Sequence, residues 1–99
     1  MGTTQAPVAV SDNTLMAVTD AVVYDGVVLK KGKLDDGRDW QYHAFKVMQD
    51  RRLLTVRIDL EACGLTAQDV LGLVDKRCRL MLAVDTRYKK AEVVGLQGL

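Results

Sequence analysis

The chain is predicted to be all-β: a five-stranded OB-type Greek-key barrel with one short helix between strands 3 and 4. Three observations lead there. Apolar and polar residues alternate with period 2 over several segments, as in strands with one buried face. The elements read in the order strand, strand, strand, short helix, strand, strand, which is the order of that barrel. The first strand is long and carries Gly26 at its middle, where a bend or bulge is expected. Sm-like and SH3-like barrels share much of this order.

The first strand is "AVVYDGVVLKKGKL", rich in valine on either side of Gly26. The second, "WQYHAFKVMQ", sets Trp40, Tyr42 and Ala44 on one face against Gln41, His43 and Phe45 on the other. Phe45 is assigned to the core. The third, "RLLTVRIDL", alternates Leu54, Val56, Ile58 and Leu60 with Thr55, Arg57 and Asp59. The short polar link Asp50–Arg52 joins these two strands as a hairpin. In "GLTAQDVLGLVDKR", Thr66 with Asp69 three residues later has the form of a helix N-cap with an acid in the first turn. The apolar Val70, Leu71 and Val74 suggest a helix of about two to three turns, with Lys76 and Arg77 at its C-terminus. "CRLMLAVDT" and "AEVVGLQ" are the last two strands, and the basic stretch from Asp85 to Lys90 between them is a hairpin tip carrying Tyr88.

Ninety-nine residues make one domain at most. Residues 1–13 are read as a flexible N-terminal arm and 14–99 as the barrel domain. The apolar fraction of 48% and charged fraction of 27% are those of an ordinary globular protein. The net charge of +1 neither demands nor excludes an anionic partner, because binding to phosphates depends on local contacts. Cys63 and Cys78 have no metal-site spacing and form no disulfide framework. A reduced, intracellular compartment is therefore expected. No apolar run approaches a membrane span, and the N-terminal residues lack the pattern of a secretory signal, so no membrane partner is expected.

Signals of catalysis are weak. His43, the single histidine, lies on a strand without a positioned partner for acid–base work. Asp35, Asp36 and Asp39 share a short glycine turn without the ligand pattern of a calcium loop. No phosphate-cradling or dinucleotide-binding glycine motif is present. A non-enzyme without metal or cofactor is expected.

The distribution of charge says more than its sum. From Lys30 to Arg57 there are eight basic residues and four acids; from Lys76 to Lys90 there are six and one. Aromatics are interleaved in both regions. Bases stack on aromatic faces while Lys and Arg neutralise the backbone, a combination that serves sequence-tolerant binding of single strands. Trp40 and Tyr88 sit at predicted turns beside Arg38 or Arg87, Lys89 and Lys90. They are assigned, with Tyr42, to stacking on bases. Arg38, Lys46, Arg51, Arg52, Arg87, Lys89 and Lys90 are assigned to phosphates.

At "GRDWQY", "LLTVRIDLE" and "LMLAVDTRYKKAEVVGLQ" the chain resembles the small dimeric single-stranded-DNA-binding proteins of filamentous phages, over roughly Asp25 to Gln97. Gly37, Arg38 and Trp40 match that family's glycine turn, basic residue and DNA-contacting aromatic. Tyr88 matches an aromatic at the tip of a later hairpin. Asp35, Asp36 and Asp39 depart from its neutral or positive wing, and Met48 stands near the place of a mid-strand aromatic. The resemblance implies a non-catalytic protein that coats transient single-stranded DNA (or RNA) as a replication accessory of a phage or mobile element. It also implies a homodimer, cooperative along the strand, burying parts of "LMLAV" and "VVGL". The rival reading is a protein–protein interaction module on the same barrel with Trp40 as its hot spot, since Trp and Arg anchor interfaces.

Overall fold

A computed structural model describes residues 8–11 and 13–99. Seven strands and two short helices follow in the order β1 (Val8–Ser11), β2 (Thr14–Val23), β3 (Val28–Lys33), β4 (Asp39–Gln49), β5 (Arg52–Ile58), α1 (Leu60–Cys63), α2 (Ala67–Leu71), β6 (Arg77–Asp85) and β7 (Lys90–Gly98). Five of the strands close a barrel in the order β2–β6–β7–β5–β4. The ring shuts where Val22 and Val23 of β2 pair with Met48 and Val47 of β4. All ladders are antiparallel except β5–β7, where Arg57 lies beside Glu92 and Ile58 beside Val93. This is the connectivity of the OB-type Greek-key barrel, as the order of elements predicts.

The long first strand is two strands, β2 and β3, joined through a bend at residues 24–27. β2 belongs mainly to β6, while β3 pairs only with β4. The chain must turn between these partners, and Gly26 sits at the turn. A Cβ there would stand 3.3 Å from Leu71 of α2, so the glycine also admits the helix. The β4–β5 hairpin turns through Asp50 and Arg51, both at positive φ (51° and 64°), the geometry that matches the twist of paired strands.

Within the segment read as an arm, Val8–Ser11 form a strand paired antiparallel to the start of β2. Residues 1–7 and 12 lie outside the described residues. The single predicted helix is corrected to two. Asp59, read as the end of a strand, instead caps α1 by accepting from the Ala62 N–H, and Gly64 ends that helix in the left-handed region. The Thr66 cap is present as a full capping box with Asp69. However, α2 stops at Leu71, so Lys76 and Arg77 lie beyond it, and Arg77 opens β6.

Alternation puts one face of each strand into the barrel. Phe45, Ile58, Leu80, Val23, Val93 and Cys78 are fully buried there, and Val70 of α2 joins them. Phe45 is thus a core residue, as expected, and Cys78 is another. Of the β6 and β7 apolar residues assigned to a dimer face, Leu80 and Val93 are core, and Leu82 and Leu96 pack against it. Met81 is 44% exposed. Among the described residues no helix is long and apolar enough to cross a membrane.

Candidate nucleic-acid interface

Since Phe45 and Val47 point into the core, their neighbours at even positions of β4 point outward: Trp40, Tyr42, Ala44, Lys46 and Met48. The ladders extend this face sideways. Gly32, Lys30 and Val28 of β3 lie opposite Trp40, Tyr42 and Ala44, and Arg57 and Thr55 of β5 lie opposite Ala44 and Lys46. In OB-type barrels the corresponding sheet face, with its two flanking loops, is the usual oligonucleotide surface.

Three flat groups form a ladder on this face. The Trp40 ring lies over Gly32, where a Cβ would be 2.5 Å from Trp40 Cζ2. Only the absence of a side chain lets the ring settle there. Tyr42 stacks on Trp40 with ring centres 5.6 Å apart and planes 16° from parallel. The Arg57 guanidinium then lies 4.1 Å from the Tyr42 ring centre, where the ring quadrupole attracts a cation. Arg57 Nε is buried and has no hydrogen-bond partner among the described residues. Trp40 itself remains 38% exposed.

The β6–β7 loop stands at the other end of the barrel, because β7 runs parallel to β5 and the loop that feeds it lies on the side of the turn that feeds β5. The β5–β7 register brings the start of β7 to the end of β5, and Lys90 shares a cavity with Arg57. Asp85 holds the loop by accepting from the backbone N–H groups of Arg87 and Tyr88. Arg87 lies 5.3 Å from the Tyr88 ring centre, and that ring is 66% exposed. Lys89 is at positive φ (52°), which tips the chain back into β7.

The fold therefore sets Trp40 and Tyr42 at one end of the barrel and Arg87, Tyr88 and Lys89 toward the other, with Lys90 and Arg57 on a cavity between them. Lys46 is exposed midway along β4 and, with Lys30, flanks the buried Ala44. Arg38 lies in the β3–β4 turn, where its Nε is 2.6 Å from Asp36 Oδ2. Asp36 also accepts from the Arg38 N–H. The wing acids thus neutralise local bases: Asp36 pairs with Arg38 and Asp39 with Lys33. Arg51 and Arg52 are not brought to the aromatic ladder. They occupy the far hairpin of β4, on the order of 30 Å from Trp40 along the strand, so a single compact basic groove is replaced by an elongated face.

Arg57 and Lys30 belong to the site although neither is among the residues assigned from sequence. The available signal was the alternation of "RLLTVRIDL", which puts Arg57 and Thr55 on the polar face. Near the ladder, the Cys63 thiol donates to the Val93 carbonyl at 3.7 Å. Burial first, then the charges of Asp59 and Glu92, push this thiol above its ordinary value. Among the described residues, no group of three or more His, Cys, Asp and Glu side chains could hold a metal ion. Comparison with protein-family models, curated proteins and solved structures finds no match to the chain.

Proposed function

We propose that this protein binds single-stranded nucleic acid, DNA in the first instance, without catalysis, as a replication accessory of a phage or mobile element. The observation that carries the reading is the outward ladder Trp40–Tyr42–Arg57. Flat rings with a flat cation accept any base by stacking, at about 1–3 kcal/mol per base. Lys30 and Lys46 on the same face, Lys90 beside Arg57, and Arg87 and Lys89 in the β6–β7 loop farther along the barrel supply charge for phosphates. The residues shared with the filamentous-phage family supply the replication context.

Trp40 is the only tryptophan, so its fluorescence reports on this face alone. Titration with unlabelled oligo-dT should quench it at low salt, and affinity should fall steeply as salt is raised. A folded protein whose emission and sedimentation are unchanged by oligo-dT at low salt would overturn the reading. A protein partner on Trp40, bound with weak salt dependence, would then take its place.

A further inference from the structure

We propose that the cavity beside the ladder, between Tyr42, Arg57 and Glu92, is a single-base subsite that prefers guanine. The inference rests on the single-strand reading above and adds a base preference to it. The cavity has a volume of about 400 Å³ and is lined by Gln41, Tyr42, Arg57, Asp59, Glu61 and Glu92, among others. It exists because β5 ends at Ile58, opposite His43, while β4 continues to Asp39. The edge of β4 at Gln41 and Tyr42 therefore has no β5 residue beside it.

The charge of this cavity argues against a phosphate. Three carboxylates and one guanidinium line it, and a phosphodiester would meet net repulsion. A neutral, flat group with N–H donors meets none. Asp59 is already engaged, accepting from the Ala62 N–H as the α1 cap. Glu92 is different. It is half-buried, it stands directly beside Arg57 in the β5–β7 register, and among the described residues no ion pair or side-chain hydrogen bond engages it. A two-acceptor carboxylate thus lies next to a donor fork that is itself stacked on Tyr42.

That pairing discriminates among bases. Guanine carries two adjacent donors, N1–H and N2–H, for a carboxylate, and its O6 accepts from a guanidinium on the same edge. Thymine offers one N–H between two carbonyls, so a carbonyl would face Glu92. Adenine and cytosine each offer one donor group beside an acceptor nitrogen, which leaves one carboxylate oxygen against a lone pair. Bases elsewhere on the ladder would be held by stacking and remain unselected.

The test uses the intact chain and oligo-dT of about eight to twelve nucleotides, with and without one central dG, read by Trp40 fluorescence. The dG oligomer should bind about ten-fold more tightly. Deoxyinosine, which lacks the N2 amino group, should recover only part of that gain. In Glu92→Gln the ratio between dG and dT oligomers should collapse toward one, even if absolute affinity rises with the lost negative charge. Equal affinity of dG and dT oligomers would overturn the guanine subsite and leave the single-strand reading standing. A preference that survives unchanged in Glu92→Gln would also overturn it. Absence of binding by every oligomer would overturn both.

Discussion

The Arg57 guanidinium is stacked on the Tyr42 ring at 4.1 Å, although the two residues belong to different strands and are fifteen apart in the chain. The contact arises because Arg57 lies opposite Ala44 in the β4–β5 ladder, and Ala44 is the next outward residue after Tyr42. Diagonal neighbours of this kind are within reach of long side chains. Arg57→Lys keeps the charge but loses the flat plate. Oligo-dT affinity should fall about three- to ten-fold with the dependence on salt unchanged. Arg57→Gln should also lower the salt slope, because a positive charge is lost from the face. Salt-dependent titrations separate the two, and an Arg57→Lys protein that binds like the parent would remove Arg57 from the interface.

Gly32 is the seat of Trp40. A methyl group there would stand 2.5 Å from Cζ2 and 2.7 Å from Cε2 of the indole, so in Gly32→Ala the ring has to swing off β3. The emission maximum should shift to the red, and oligo-dT affinity should fall by about five-fold or more as one stacking surface is lost. Stability should change by about 1 kcal/mol or less, because the ring lies at the surface outside the core and alanine suits a strand better than glycine. Unchanged emission and affinity would show that the indole is not held by this seat.

Asp20 is 4% exposed on β2. Arg79 reaches it through Nε at 3.0 Å and Nη2 at 3.4 Å, and Arg77 through Nη2 at 3.9 Å. Its hydrogen bonds hold the Arg79 guanidinium above its ordinary value. Removing one partner of a buried pair is costly, but both arginines are nearly half exposed and stay hydrated when left alone. Asp20→Ala should therefore destabilise by about 2–4 kcal/mol, near the lower end for broken buried pairs. Urea unfolding measures this. Oligonucleotide affinity of the folded variant should be unchanged, since Asp20 lies outside the β3–β4–β5 face.

Both thiols bind their protons more tightly in the folded state. Burial raises Cys63, with Asp59 and Glu92 adding to it. Burial also raises Cys78, with Lys76 opposing. A raised value means that the stabilisation is complete below the unfolded thiol's value of about 9.0 and is lost as pH rises through the higher folded value. Denaturant unfolding followed from neutral pH to above that value should show stability falling. Cys63→Ser should fall less steeply, because one of the two titrating thiols is gone. Parallel curves for parent and variant would show that Cys63 is not shifted.

The β class was legible in the chain because alternation is a local property. Whether Phe45 faces in and Trp40 faces out follows from parity along one strand. The Thr66–Asp69 cap was legible for the same reason, since both halves of a capping box lie within four residues. Asp59 was misread because an alternating run continues through it. Only the departure of β5 from the sheet at Ile58 turns the next residue into a cap.

The sequence by itself determined the barrel's element order, its core-facing positions and the two aromatic segments. Tertiary structure alone decided which of the basic residues stand beside those aromatics. Arg51 and Arg52 are closer to Trp40 in the chain than Arg57 and Lys90 are, yet they lie at the opposite end of β4. Arg57 is returned toward the aromatic end by the β4–β5 hairpin, and the parallel β5–β7 contact brings Lys90 to a cavity beside it. Parity tells each residue its face, but its neighbours across the sheet depend on register and on where strands close into a ring. Those are set by the packing of the whole core and by no single segment.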